Sequence, residues 1–270
     1  MASDDILKKA KALLGNSAQP RAIGTAETKA LPGRAAEALK SSGLDIYTAF
    51  DTTGSMSSYI DVVRNNIEEV TNKLLDGSFD LRLSMNGIGD HCDGRNWIQM
   101  YELSSNPAEV RGSIEDIVMT SGGDEPEAYE CLALQMTQRI PTDSAGRKRA
   151  VVLIGDSVPH GMKSGIKDSG CPKEVNYQDA FKAMKTVCDG FYFVGCNEQM
   201  YAQQRKLVEK DSSKEKFIPL GDMIDVLPAL LIALAKKSQS EKALRDYLTQ
   251  LEADKAQKIY GLLGSGSNDR

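Results

Sequence analysis

Three oxygen-bearing side chains stand at alternate positions in the stretch YTAFDTTGSMS, residues 47–57: Asp51, Thr53 and Ser55. A short apolar run leads into Asp51 and a pattern with helical spacing follows Ser55, so one carboxylate and two hydroxyls converge where a strand ends. Hard oxygen donors of this kind suit a hard divalent cation such as Mg2+. A second apolar run, VVLIGD, ends in Asp156. If the two strands are neighbours in one sheet, both carboxylates face one crevice.

The apolar pattern predicts the elements that carry these groups. Residues 4–14 have helical spacing, 16–32 read as a linker containing Pro20, Gly24 and Pro32, and 34–42 as a short helix closed by Gly43. A strand is predicted over 44–50. Ile60, Val63, Ile67, Val70 and Leu74 recur at three- and four-residue steps, which predicts a helix over 56–75, stopped by Asp76 and Gly77. Residues 81–88 alternate as a half-buried strand does. With a strand over 97–103 and the loop GDHCDGRN between them, they read as one antiparallel hairpin. Pro107 opens a helix to about 119, and the turn SGGDEPE precedes another through Arg139, with Pro126 in its first turn. A strand over 149–155, a loop rich in Gly, Pro and Ser (157–173), a helix (176–187), a strand (191–194), a helix (198–209), a strand (216–220) and one or two helices within 222–260 complete the series. The tail GSGSNDR is too polar and glycine-rich to fold alone. Alternating strands and helices argue for an α/β domain with a largely parallel sheet, in which ligands sit beyond the carboxyl ends of strands.

Bulk properties narrow the function classes. The chain has 270 residues, 41% of them hydrophobic and 26% charged, which is ordinary globular composition. A net charge of −5 and a pI near 5.3 give no electrostatic grip on nucleic acid or an anionic membrane. They accommodate an acidic site that attracts cations or basic partners. The opening MASDDILKKA has no apolar core of a signal peptide. The apolar run VLPALLIALA (226–235) falls short of the about 20 residues that span a bilayer. Five cysteines (Cys92, Cys131, Cys171, Cys188, Cys196) without CxxC spacing read as free thiols in a reducing cytosol. The expected location is cytoplasmic.

The loop DTTGSMS resembles the DxSxS motif of von Willebrand factor type A (vWA) domains, with Thr53 in place of the first serine. The apolar strand ending in Asp156 matches that family's last metal loop. The middle loop, SGGDEPE, looks like the GGGDxPE variant found in a subset of these domains, with Asp124 where many members present a threonine. The loops GDHCD (89–93) and GDSVPHG (155–161) resemble the same subset, so the likeness covers about 44–220 with four loops in order. It implies a doubly wound, mostly parallel sheet with one antiparallel edge strand and helices on both faces. The implied domain limits are 44–236, preceded by a helix and linker (1–43) and followed by a helix and flexible tail (237–270). The resemblance also implies a metal-ion-dependent adhesion site made by Asp51, Thr53, Ser55, Asp156 and Asp124, holding Mg2+ (or Mn2+ or Ca2+). Asp124 binds there directly or through water, or instead caps the following helix.

Three enzymatic or metal readings compete. Asp51 in FDTTGS could be the nucleophile of a Mg2+-dependent phosphoryl transfer, but Thr53 stands where the phosphatase branch wants an Asp. Ser157 in GDS could be a hydrolase nucleophile, but no histidine follows His160. His91, Cys92 and His160 could hold zinc with Asp90 or Asp93, without the usual paired spacing. No residue is placed as nucleophile plus base, so the expectation is a non-enzymatic interaction module. Its open coordination position would accept an Asp or Glu from a protein partner, and the resemblance points to an ATPase or another complex subunit. A structural assembly protein with a vestigial metal site is the further alternative. In it, the stretch 238–260, with Leu244, Leu248 and Leu251 near one face, would drive oligomerisation.

Overall fold

The structure, a computed structural model, describes residues 43–74, 80–142, 146–162, 170–210, 212, 214–234, 244 and 247–264. The N-terminal helices and linker read from the sequence, and the tail after 264, lie outside the described residues. Those described belong to one compact unit, Lys40–Arg270. No helix among them is long and apolar enough to cross a membrane.

Six strands make one sheet: β1 (Leu44–Asp51), β2 (Leu81–Ile88), β3 (Ile98–Gln99), β4 (Lys148–Gly155), β5 (Gly190–Gly195) and β6 (Glu215–Pro219). Their order is β3-β2-β1-β4-β5-β6, parallel throughout except for the β2–β3 pair. The helices are α1 (Ile60–Leu74), α2 (Pro107–Asp116), α3 (Tyr129–Arg139), α4 (Tyr177–Val187), the single turn α5 (Tyr201–Gln204), α6 (Met223–Leu234) and α7 (Ala253–Gly264). The chain winds outward from β1 to β3, then returns to lay β4 on the other side of β1. The β1–β4 junction is therefore the switch point where a crevice opens beyond the strand ends.

Both faces of the sheet are covered. Ile46 and Phe50 of β1 join a core with Val63 and Ile67 of α1 and Leu227 and Leu231 of α6. Tyr47 and Ala49 join a second core with Leu132 and Met136 of α3 and Phe181 of α4. All eight β1 residues are buried, as expected for a central parallel strand with helices on each side. The two-residue side-chain period places Asp51 in the row of Tyr47 and Ala49, on the side of α3.

Three elements differ from the sequence reading. Strand β2 is not half-buried: seven of its eight residues are buried, because β1 and the helices enclose it. The partner strand expected over 97–103 shrinks to two residues. Its continuation is held by side chains, with Tyr101 N donating to Asn86 Oδ1 (2.9 Å) and Ser84 Oγ donating to Tyr101 O (2.7 Å). The helix expected over 198–209 is broken into 3-10 turns around α5, where buried Gln204 turns inward and donates Nε2 to Gly155 O (3.2 Å) and Ser157 O (3.0 Å).

The C-terminal segment packs back on α6. Ile259 and Leu248 are buried, and Lys255 and Lys258 pair with Asp225 (2.8 Å) and Asp222 (2.5 Å). Pro228 lies inside α6 and lacks the N–H that would reach Ile224 O. The Tyr247 hydroxyl donates there instead (3.1 Å) and to Asp225 O (3.0 Å). Tyr247→Phe is expected to cost about 1 kcal/mol in urea unfolding, the worth of one intramolecular hydrogen bond. An unchanged midpoint would show that this contact holds nothing.

Candidate functional site

The end of β1 is locked by its own side chains and by the neighbouring strand. Thr52 N and Oγ1 both donate to Ile88 O, at 2.8 and 3.1 Å, and Thr52 O accepts Thr120 N (2.8 Å). The next residues turn into a 3-10 helix, Gly54–Ser58. In that turn the Asp51 Oδ1 accepts both Thr53 N (2.8 Å) and Thr53 Oγ1 (2.7 Å). Thr53 Oγ1 lies 3.2 Å from Ser55 Oγ, and Ser55 Oγ donates to Asp156 Oδ1 at 3.2 Å. Four oxygen-bearing side chains from two loops thus form one continuous string.

The remaining loops build walls around it. Asp93 accepts Asp90 N (2.7 Å) on one oxygen and Ser121 N (3.1 Å) and Gly122 N (3.0 Å) on the other, which ties GDHCD to the glycine turn. Gly122 has φ 72 and faces Thr53, so the turn needs glycine there. Glu127 N donates to Val158 O (2.9 Å) and Ser157 Oγ to Glu125 O, which joins the glycine turn to the loop after β4. That pairing delays α3 to Tyr129. Pro126 therefore precedes the helix rather than opening it, and Ala128, not Asp124, occupies the N-cap position. The result is an open cleft of about 230 Å³ lined by Thr53, Ser55, Asp124, Glu127, Asp156 and Asn197, among others. Asp51 is fully buried and reaches the cleft only through Thr53.

The electrostatics are lopsided. At the opposite end of β1, the buried carboxylate of Asp45 is met by Arg82 (2.6 Å) and Arg147 (2.8 Å). At the cleft end, no lysine or arginine is among the leading influences on Asp51, Glu127 or Asp156. Burial, then the Asp156 charge, push the Asp51 carboxyl up to about 7, although Tyr129 and Thr53 donate hydrogen bonds that oppose the rise. Burial and the Asp51 charge push Glu127 up to about 10. Burial raises Asp156 as well. Glu127 Oε2 is buried with no hydrogen-bond partner among the described residues. An oxygen-only donor set, crowded negative charge and an orphaned carboxylate oxygen together fit a hard divalent cation.

The structure brings together Asp51, Thr53, Ser55 and Asp156 and places Asp124 on the same cleft. Asp124 Oδ1 faces His160 Nε2 at 3.4 Å. Burial alone would lower the His160 pKa. The bond to Glu130, with the charges of Glu130, Asp90 and Asp124, outweighs it and raises the ring to about 9. The zinc set read from the sequence does not assemble: Cys92 Sγ turns to Asp90 Oδ2 (3.4 Å), whereas His91 turns to Glu130 (3.0 Å). Glu127 and Tyr129 went unassigned in the sequence. Glu127 had a signal, because it closes the GGDEPE turn; Tyr129 had none, because its role depends on where α3 meets β1. Gly155 is equally dictated by packing, since a Cβ there would collide with the Tyr129 hydroxyl.

No family model and no curated relative matches this chain. Among solved structures it is similar to the pilus adhesin SpaC from Lactobacillus rhamnosus GG, with 13% identity and a TM-score of 0.49. The open conformation of the same adhesin gives 14% and 0.45. Each alignment covers 80% of this chain and 30% of the adhesin, so this chain spans less than a third of that protein's length.

The raised carboxyls set a pH dependence. Their folded pKa values lie above the unfolded ones near 4, so the stability linked to them is complete below about pH 4. It is lost as pH rises through about 7 for Asp51 and on toward about 10 for Glu127. In chelator, unfolding free energy is expected to fall steadily from pH 5 to pH 9, on the order of several kcal/mol in all. Asp51→Asn is expected to flatten the lower part of that profile in urea titrations. A flat wild-type profile would refute the crowding.

Proposed function

We propose that the chain is a vWA-type interaction domain whose cleft takes a divalent cation and, through it, an acidic side chain of a protein partner. The observation that carries this reading is the unbroken string Asp51–Thr53–Ser55–Asp156, at 2.7–3.2 Å per step, drawn from loops about 100 positions apart and opening on a cleft. Thr53, Ser55 and Asp156 would hold the ion, with Asp124 and Glu127 from the facing turn within the same cleft. Asp51 supports the set from behind, because it is buried and its two oxygens are engaged by Thr53 and Tyr129. A bound Mg2+ would neutralise the carboxylates and offer a position to one further oxygen ligand.

The protein's own groups then do the selecting. Thr53 and Ser55 orient their hydroxyl oxygens, the 121–127 turn and the loop after β4 frame the entrance, and the negative lining rejects a free carboxylate unless a cation is present. This reading needs no bond-breaking step. The burial of Asp51 argues against its use as a phosphoryl nucleophile, and the Ser157 hydroxyl is committed to Glu125 O.

Calorimetric titration of Mg2+ and Mn2+ into the purified chain is expected to show one site, weakened at least about tenfold in Ser55→Ala and Asp51→Ala, each loss being about 1.4 kcal/mol or more. Saturation at about 100 times Kd is expected to stabilise the fold by about 2.7 kcal/mol. Affinity capture with Mg2+ against chelator, read by mass spectrometry, would name the partner. Absence of cation binding, or a beryllofluoride adduct on Asp51, would overturn the reading in favour of assembly or of phosphoryl transfer.

A further inference from the structure

Behind the cleft wall lies a second group of donors with different chemistry. His91 comes from the loop after β2, Glu130 and Cys131 from the first turn of α3, and Cys171 from the turn before α4. One ligand atom from each lies within 4.8 Å of every other. The Cys131 and Cys171 sulfurs are 3.6 Å apart, Cys171 Sγ is 3.4 Å from His91 Nε2, and His91 Nε2 is 3.0 Å from Glu130 Oε1. With Zn–S near 2.3 Å and Zn–N or Zn–O near 2.0–2.1 Å, a tetrahedral zinc site has S–S, S–N and N–O edges of about 3.8, 3.5 and 3.3 Å. The three observed contacts match three edges of a slightly contracted tetrahedron, and the other three distances lie within 4.8 Å.

Hydrogen bonding alone serves this group poorly. The single Glu130 carboxylate is shared by His91 Nε2 and the Cys171 thiol, so an imidazole and a sulfur gather on one oxygen group. The Cys131 thiol is left facing another sulfur. His91 Nδ1 has no hydrogen-bond partner among the described residues, so the ring's polar engagement is all on the Nε2 side. The backbone amides of Lys173 and Val175 donate to Cys171 Sγ, which fixes the position of the sulfur. The turn that supplies them is packed in place, with Lys173 Nζ 3.6 Å above the Trp97 ring and Trp97 against His91.

We propose that His91, Glu130, Cys131 and Cys171 form a structural zinc site separate from the oxygen-lined cleft. Two thiolates, an imidazole and a carboxylate suit Zn2+, whereas Mg2+ is left to the hard oxygen donors. The ion clamps the 170–176 turn onto the loop after β2 and the start of α3. His160, which faces Asp124 in the cleft, lies against this clamp through Glu130 and the His91 ring (5.2 Å between ring centroids).

The test uses the full chain purified under reducing conditions. One equivalent of zinc per chain is expected by elemental analysis. Co2+ loaded in its place should give thiolate-to-metal charge transfer and the intense visible bands of a tetrahedral ion. Chelator competition should show zinc affinity lowered at least about 100-fold in Cys131→Ser and in Cys171→Ser. Asp51→Ala should keep its zinc, which separates this site from the Mg2+ reading. Three results would each overturn the proposal: a wild-type Co2+ spectrum without charge transfer, affinity unchanged in both cysteine variants, or a Cys131–Cys171 disulfide whose reduction yields no zinc uptake. The wild-type spectrum decides even if a variant fails to fold.

Discussion

Carboxyl groups buried together, with no lysine or arginine paired to them among the described residues, are the constraint around which this fold is arranged. The sheet order puts β1 beside β4, and each strand delivers a carboxylate at its carboxyl end. A third, Glu127, arrives from the turn before α3 and is almost fully buried. Each would ionise readily in water, yet burial holds all three above the usual carboxylate range, with repulsion from neighbouring carboxylates adding to it at Asp51 and Glu127. The contrast with Asp45, which two arginines neutralise at the other end of the same strand, shows that the fold can supply cations where it only needs stability. At the cleft no lysine or arginine is among the leading influences on Asp51, Glu127 or Asp156 among the described residues, and the His160 imidazole reaches only as far as Asp124 and Asp90 at the rim.

Holding such a site open takes many fixed backbone contacts. The loops after β1, β2 and β4 and the turn before α3 are cross-tied by Thr52, Asp93, Ser157 and Glu127, each through a backbone group of another loop. Side-chain hydroxyls can then be aimed without help from regular structure. Tyr129 and Gly155 show how tight this is, because the tyrosine that braces Asp51 fits only where the strand opposite carries no Cβ. The two donor sets are also sorted by hardness. Oxygens face the cleft, while sulfur and imidazole gather behind it, with Glu130 between His91 and His160.

Much of the scaffold was readable because its signals are local. The three- and four-residue steps of α1, the apolar runs of β1 and β4 and the proline that opens α2 each act within one or two turns of chain. The readings that failed depended on partners far away. Strand β3 is short because Ser84 and Asn86 take over its backbone groups, α3 starts late because Glu127 pairs with Val158, and the 198–207 helix breaks because Gln204 reaches Gly155 and Ser157.

By itself the sequence determined the α/β class, the strand ends that carry Asp51 and Asp156, and the alternate spacing of Asp51, Thr53 and Ser55, since these follow from periodicity and from chemistry within a few residues. Only the tertiary structure decided which carboxylates share a crevice, that Asp51 supports the set from behind instead of lining it, that Asp124 faces His160 rather than capping a helix, and that His91 meets Cys131 and Cys171 instead of Cys92. Those outcomes depend on which strands are neighbours and how loops tie across them, and long-range packing of that kind leaves no period in the chain.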